Sequence, residues 1–264
     1  MRKYEFPDAK KVVVCGDIHG DFNALIFKCW ILYEMTDTLI VVAGDCGFGF
    51  EEPSCYDEIY KDLTSRLEVS NLWVVFVRGN HDNPAYFDGN QVNYKRWRAI
   101  PDYSVLEACG HTILCIGGAI SVDRDWRKSS KKYQTCPKDL LQPNLYWPNE
   151  KPVFDKEKLD AINHQYAIDT VISHTAPSFC ELSDKTQIED WFKIDPLLPE
   201  DLQRERETMD NILDYLKTNG HPLKNWYYGH FHQSWNSVID NVKYNMLDCM
   251  EIKELENLER KRLL

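Results

Sequence analysis

Short apolar runs alternate with amphipathic segments in the first third of the chain. Runs at 11–15, 39–43 and 72–77 have the length of β-strands. Between them, apolar residues recur at helical spacing over 22–33 and 56–67. This alternation predicts three parallel strands joined by crossover helices. In such sheets, functional side chains gather where the strands end.

The pattern is less regular in the rest of the chain. The further elements it predicts are strands at 112–122, 169–173 and 225–228, helices at 155–166 and 199–217, and a hairpin at 237–247 that turns near Asp240-Asn241. Residues 123–152 have no clear period, which predicts a long loop over one face. The charged residues at about 250–264 predict a short surface helix or a frayed tail. Because no repeat or linker divides the chain, we expect a single domain over residues 1–264.

Composition limits the classes of partner. The chain has 264 residues, and its 43% hydrophobic content is that of a globular protein. A formal net charge of −11 disfavours extended nucleic acid and anionic membranes, since both need a basic face. No apolar run has the length of a membrane span, and no signal core opens the chain. Nine cysteines without a CxxC pair favour a reducing, cytoplasmic setting.

Five loops, each following an apolar run, carry residues that bind metals. They are Asp17-Ile-His19, Gly44-Asp45, Gly79-Asn80-His81-Asp82, His174 and Gly229-His230-Phe-His232. Carboxylate oxygen, amide oxygen and imidazole nitrogen together suit divalent ions such as Mn, Fe, Zn, Co or Ni. Each loop alone is more typical of an ordinary turn or a hydrogen-bonded histidine. The five together, in this order, predict a metal centre.

The five blocks resemble the signature of the calcineurin-like metallophosphoesterase superfamily. That signature consists of DxH, GD, GNH[DE], a single His and GHxH, and its blocks frame residues 17–232 here. The chain resembles bacterial and phage members, and its GDIHG and RGNH blocks are partly like those of Ser/Thr protein phosphatases. The resemblance implies an α/β fold, a four-layer α/β/β/α sandwich in which two mixed β-sheets lie face to face, flanked by helices.

The resemblance also implies a role for each matched position. One metal ion would be bound by Asp17, His19 and His232. The second would be bound by Asn80, His174 and His230, with Asp45 bridging the two ions. His81 would protonate the leaving group or donate a hydrogen bond to a phosphoryl oxygen. The implied cofactors are two divalent ions, Mn first, whose bridging hydroxide would attack phosphorus in line.

Three arginines are candidates for binding the substrate. Arg78 directly precedes the third block, as in the protein-phosphatase branch, and a guanidinium there can bind phosphate oxygens; the alternative is an ion pair with a nearby acid. Arg124 and Arg127 follow the paired glycines Gly117-Gly118. These two arginines could bring positive charge over the metals, or form ordinary ion pairs in a solvated loop.

Two blocks depart from the protein-phosphatase pattern. Gly44-Asp45 lacks the aspartate and arginine that follow it in those enzymes, and Asp82 stands where they have Glu. The acid that would orient His81 is therefore missing from its usual place. Aromatic residues in the long predicted loop could stack on a nucleobase or simply pack there; they are Trp126, Tyr133, Tyr146 and Trp147.

The expected function is metal-dependent hydrolysis of a phosphomonoester or a nucleotide-like phosphate. The alternative within enzymes is a phosphodiesterase that acts on cyclic nucleotides or short oligonucleotides. A binding scaffold without catalysis is a third interpretation, which the complete ligand set and His81 disfavour. The expected partner is the phosphate ester alone, with no membrane and no extended nucleic acid.

Overall fold

Two mixed β-sheets form the centre of the computed structural model, which describes residues 1–129, 146–180 and 186–256. The strands are β1 (Lys3–Glu5), β2 (Lys11–Cys15), β3 (Thr38–Val42), β4 (Leu72–Phe76), β5 (Asn93–Tyr94), β6 (Trp97–Ala99), β7 (Ser104–Ala108), β8 (His111–Ile116), β9 (Thr170–Ser173), β10 (Asn225–Tyr228), β11 (Trp235–Ile239), β12 (Val242–Met246) and β13 (Ile252–Leu255). The seven-stranded sheet has the order β1-β7-β8-β9-β10-β12-β11, and the six-stranded sheet has the order β13-β2-β3-β4-β6-β5.

Helices cover the outer faces of the sheets. The α-helices are α1 (Phe22–Phe27), α2 (Pro53–Val69), α3 (Arg124–Ser129), α4 (Lys156–Asn163), α5 (Thr186–Ile194) and α6 (Leu198–Thr218). A π-helical turn, Lys28–Leu32, continues α1, and short 3₁₀ turns lie at Pro84–Phe87 and Ser178–Cys180. None of the helices in the described ranges is long and apolar enough to cross a lipid bilayer.

Successive side chains of a β-strand point to opposite faces of its sheet, and this alternation divides the core into layers. Val12 and Leu39 of one sheet share a buried cluster with Leu106 and Ile172 of the other, so the two sheets pack face to face. Their neighbours point outward, where one cluster joins the six-stranded sheet to α1 and α2 and another joins the seven-stranded sheet to α4 and α6. This layering confirms the predicted α/β sandwich of two mixed sheets flanked by helices.

The regular first third of the chain folds as its pattern predicts. β2, β3 and β4 are adjacent and parallel, with the register Val13↔Ile40 and Ile40↔Val74. The predicted hairpin also forms between β11 and β12. Its turn residues Asp240 and Asn241 both have positive φ, as a tight hairpin turn requires.

Two predicted irregular segments need correction. Within 123–152, residues Arg124–Ser129 form α3; positions 130–145 lie outside the described residues. The expected helix or frayed tail at 250–264 is wrong for Ile252–Leu255, which forms β13 and pairs antiparallel with β2. The reason is that β13 covers the edge of β2, and pairing satisfies backbone groups there that would otherwise be open. Positions 257–264 also lie outside the described residues.

Candidate metal centre

The seven candidate metal ligands lie just beyond the carboxyl ends of strands from both sheets. They are Asp17, His19, Asp45, Asn80, His174, His230 and His232. The first four follow the adjacent parallel strands β2, β3 and β4, and the last three follow the adjacent parallel strands β9 and β10. Because the two sheets pack face to face, these ends meet, and the seven side chains converge in two groups.

The first group joins Asp17, His19 and His232. The Nε2 atoms of His19 and His232 are 3.1 Å apart, and His232 Nε2 is 3.0 Å from Asp17 Oδ2. Ligand atoms of these three residues and of Asp45 all lie within 4.8 Å of one another. The exposed thiol of Cys249, which belongs to none of the five blocks, lies within the same distance of ligand atoms of both histidines.

The second group joins Asn80, His174 and His230. Asn80 Oδ1 is 2.9 Å from His174 Nε2 and 3.1 Å from His230 Nδ1. Asp45 contacts this group as well as the first, since its Oδ1 is 3.3 Å from His174 Nε2. Burial opposes ionisation of Asp45, but the imidazoles of His81 and His174 outweigh burial and hold its pKa well below the ordinary value. Asp45 therefore lies between the groups as a carboxylate.

The chemistry of the two groups fits divalent cations. A neutral imidazole has one bare nitrogen, so His19 and His232, whose Nε2 atoms face each other at 3.1 Å, are suited to sharing a cation. The set combines carboxylate and amide oxygens with imidazole nitrogens, the mixture preferred by Mn, Fe, Zn, Co and Ni. The resemblance of the five blocks implies two divalent ions, and the two groups around Asp45 fit that number.

Four of the twelve non-glycine residues with positive φ in the described ranges are candidate ligands. His19, Asp45, His230 and His232 all have positive φ, between 45° and 70°, a region that residues with side chains rarely adopt. Such strain persists where the surrounding structure holds it, and it is commonly found at functional sites. Gly79 allows the loops to approach, because a Cβ there would lie 2.0 Å from the backbone nitrogen of Asp45. The glycines of the sequence blocks thus serve close packing around the ligands.

Asp82, the last residue of the third block, holds the loop that carries Asp45. Its buried carboxylate accepts four backbone hydrogen bonds of 2.7–3.0 Å, from the N–H groups of Cys46, Gly47, Phe48 and Gly79. Burial, together with the charge of Asp45, raises the pKa of Asp82 to about 6. The sequence places no acid to orient His81, and the Asp82 carboxylate is directed to the loop backbone instead.

A buried hydrogen-bond chain fixes the orientation of Asn80. Its Nδ2 donates to Ser121 Oγ at 2.9 Å, and Ser121 Oγ donates to Glu150 Oε2 at 2.6 Å. Because the amide nitrogen is held on this side, the amide oxygen faces His174 and His230. Sequence reasoning missed both Ser121 and Glu150. Ser121 follows the conspicuous Gly117-Gly118 pair, but no local signal marks Glu150.

We expect Ser121→Ala to weaken metal binding about tenfold or more, because the Asn80 amide loses the partner that keeps its oxygen toward the ligands. Calorimetric titration of Mn²⁺ into the metal-free variant measures this change. The control is Ser54→Ala, which removes an exposed hydroxyl at the start of α2. Unchanged Mn²⁺ affinity in Ser121→Ala would show that the chain does not orient a ligand.

His81 lies at the edge of the two groups and is partly exposed. Its Nε2 is 3.7 Å from Asp45 Oδ2 and 3.4 Å from Arg127 Nη2. Burial lowers the pKa of His81; Arg127 adds to the effect, while Asp45 opposes it. The imidazole is therefore neutral near pH 7, and a neutral imidazole still has one N–H to donate. This state favours a hydrogen bond to a phosphoryl oxygen over release of a proton from an imidazolium.

Of the three arginines considered for substrate, one approaches His81. Arg127 is held by Asp123, with Nε 2.8 Å from each carboxylate oxygen. Arg78 is buried, and its guanidinium binds Asp102 at 2.9 Å and the carbonyl oxygen of Glu150 at 2.6 Å. Arg78 matches the alternative of an ion pair with a nearby acid, and phosphate binding would require these contacts to break.

Arg124 has a similar structural environment. It is buried, and it forms ion pairs of 2.5 Å with Asp195 and 2.7 Å with Asp201. These contacts join α3 to the segment containing the end of α5 and the start of α6. Neither Arg124 nor Arg127 is among the described residues that line the cavity beside the ligands, but Arg127 lies 3.4 Å from His81. The two ion pairs of Arg124 give its side chain a structural role beside the site.

A cavity of about 860 Å³ opens beside the two ligand groups. Its aromatic lining comes from Trp191 and Phe192 of α5 and from Phe231, between two candidate ligands. The sequence points instead to aromatic residues of 123–152. Of these, Tyr133 lies outside the described residues, and the others are not among the described lining residues; they are Trp126, Tyr146 and Trp147. Helix α5 was missed because its pattern is short and lies in a polar stretch.

Comparison with known proteins gives the family. The sequence model of the calcineurin-like phosphoesterase family matches residues 10–234, which is most of the chain. The chain belongs to the calcineurin-like phosphoesterase family, and the resemblance of its five blocks is confirmed. As a member of this family, it is a metal-dependent phosphoesterase, a hydrolase that acts on phosphate ester bonds.

Solved structures agree on the fold. The TT1561 protein of Thermus thermophilus has a TM-score of 0.55 at 11% identity, over 94% of this chain and 99% of that one. A dimetal phosphatase from Danio rerio has a TM-score of 0.51 at 13% identity, over 92% of this chain and 88% of its own. At these identities the likeness shows a common fold.

Proposed function

We propose that the protein is a dinuclear phosphomonoesterase that takes Mn²⁺ in both positions. Asp17, His19 and His232 would hold one ion, and the Asn80 group would hold the other. The observation that carries the proposal is the position of Asp45, whose carboxylate lies within reach of both ligand groups. When bound, two such ions lower the pKa of a coordinated water and offset charge on a phosphoryl group.

The chain's own residues would orient the ester. His81 Nε2 lies 3.7 Å from the Asp45 carboxylate, and it would donate a hydrogen bond to a phosphoryl or leaving-group oxygen in the tautomer with the proton on Nε2, once Arg127 turns from this nitrogen to the phosphoryl group. Arg127 lies 3.4 Å from His81 and brings a positive charge that Asp123 holds in place. A monoester carries one more negative charge than a diester at phosphorus. We therefore assign Arg127 to the terminal phosphoryl oxygens.

A paired rate assay tests this function. The Mn²⁺-loaded protein is expected to hydrolyse p-nitrophenyl phosphate faster than bis-p-nitrophenyl phosphate, and EDTA is expected to abolish both rates. Arg127→Ala should lower kcat/KM for the monoester about 10- to 100-fold and the diester rate much less, because the diester lacks the second charge.

Each other outcome has a definite meaning. Faster hydrolysis of the diester, with no selective effect of Arg127→Ala, would support the alternative of a phosphodiesterase on cyclic nucleotides or short oligonucleotides. The control is Lys128→Ala, which removes a different cation from α3, one that pairs with Asp125. It should leave both rates unchanged, so that a general loss of charge near α3 is separated from the loss of Arg127.

A further inference from the structure

The cavity has two chemically different ends. Candidate ligands and His81 line one end, and side chains from α5 and α6 line the other. A volume of about 860 Å³ far exceeds what a phosphoryl group fills, and it is typical of pockets for organic ligands. The end away from the ligands therefore has room for the organic part of an ester.

The wall from α5 is apolar because of its sequence pattern. Ile188, Trp191 and Phe192 have the spacing that places side chains on one helix face, and all three line the cavity while remaining only partly buried. Leu202 of α6 and Phe231 continue this surface. Apolar and aromatic side chains that line a cavity while remaining partly open are typical of a ligand-binding surface. We name these five residues the aromatic wall.

The charges around the aromatic wall are unfavourable for a second anion. Beyond the ligand groups, the described lining includes the carboxylates Glu207 and Asp210, a third carboxylate, Asp123, whose charge is paired with Arg127, and one cation, Arg206. Arg206 has an ion pair with Glu205 at 3.0 Å, and its guanidinium lies 4.8 Å from the centroid of the Phe231 ring. Its positive charge is thus largely balanced before any ligand enters.

We infer that the aromatic wall binds the leaving group of the substrate, and that this group is aromatic and carries no negative charge. The inference rests on the proposed function, because it assumes that the phosphoryl group occupies the metal centre. Flat rings would stack on or against Trp191 and Phe192. A leaving group with its own phosphate or carboxylate would meet Glu207 and Asp210. The substrate class is therefore monoesters of uncharged aromatic or arene-bearing alcohols, and bisphosphates are excluded.

Phosphonates test this inference by binding alone, since their P–C bond is not hydrolysed. Calorimetric titration of the Mn²⁺-loaded protein, at a pH where all compounds are dianions at phosphorus, should show phenylphosphonate binding about tenfold or more tightly than methylphosphonate. The 4-carbamoylphenyl compound should bind at least about tenfold more tightly than its 4-carboxyphenyl counterpart. The amide and the carboxylate have nearly the same shape, so this pair isolates charge.

Variants of α5 locate the effect. Trp191→Ala should reduce the preference for phenylphosphonate over methylphosphonate to about threefold or less, while the affinity for methylphosphonate stays unchanged. The control is Ile194→Ala on the same helix. The Ile194 side chain is 55% exposed and is not among the described residues that line the cavity, so this variant should keep the full preference for phenylphosphonate. Circular dichroism checks that both variants are folded.

The outcomes separate this inference from the proposed function. Equal binding of phenylphosphonate and methylphosphonate, or no binding of either, would overturn the aromatic wall as a subsite, and equal binding of the carboxyl and carbamoyl compounds would overturn its charge selectivity. Turnover of p-nitrophenyl phosphate is measured on the same sample. Turnover without phosphonate selectivity leaves the proposed function intact, whereas selectivity without turnover of any ester leaves the subsite intact and rejects the function.

Discussion

Asp45→Ala is expected to lower turnover of p-nitrophenyl phosphate by about 10³-fold or more and to reduce bound Mn²⁺ to one ion or fewer per chain. Asp45 Oδ1 lies 3.3 Å from His174 Nε2, the nitrogen that faces Asn80, whereas Asp17 of the first group approaches His174 at Nδ1, at 3.9 Å, where the ring already contacts the carbonyl oxygen of Ala43. Two adjacent dications repel each other, and a shared carboxylate offsets that repulsion. Rate assays and metal analysis on the same preparation measure the two effects.

The matched comparison is with a ligand that belongs to one group alone. His232→Ala removes a histidine that contacts Asp17 and His19 but leaves the Asn80 group intact, so it should retain one ion and lose less activity. Asp45→Asn separates charge from shape, because asparagine tolerates the positive φ of this position. Should His232→Ala prove as damaging as Asp45→Ala, the bridging assignment would be lost.

Asp82→Ala is expected to lower the free energy of unfolding by about 3–5 kcal/mol, the largest stability change predicted near the site. The substitution leaves four backbone N–H groups of the buried loop without their acceptor. Each buried donor left unpaired costs about 1–3 kcal/mol, less what water entering the space restores. Urea unfolding of metal-free protein measures the change without interference from bound ions.

A second aspartate with a similar local role provides the control. Asp88 accepts hydrogen bonds from the backbone N–H groups of Asn90 and Gln91, but it lies exposed, where water can replace it. Asp88→Ala should therefore cost a small fraction of the Asp82→Ala effect. If the two variants unfold at similar urea concentrations, the loop around Asp45 does not depend on the buried carboxylate.

The candidate ligands could be predicted from sequence because each lies in a short block directly after a strand. Such blocks are local: Asp17 and His19, or His230 and His232, are two positions apart, and a glycine precedes or follows them for steric reasons. The strands that carry them are apolar runs of obvious length, as β3 and β4 show. Parallel pairing then brings the strand ends together without any further information.

The surroundings of the ligands could not be predicted in the same way. Glu150 reaches Ser121 across 29 positions of sequence, and Arg78 finds Asp102 and the carbonyl oxygen of Glu150 instead of an open cavity. An arginine in the sequence gives no sign of whether its guanidinium binds phosphate or a buried acid. Which of the two it binds depends on what other segments bring within hydrogen-bond distance.

The sequence by itself determined the family, the α/β class and the identity of the candidate ligands, because these follow from local motifs and from the hydrophobic period of strands and helices. The tertiary structure decided the rest: that Asp82 holds the Asp45 loop, that Arg127 alone of three arginines approaches His81, and that α5 builds the aromatic wall. These features arise from contacts between distant segments. The sequence pattern does not give the distance in space between such segments, because that distance is set by packing.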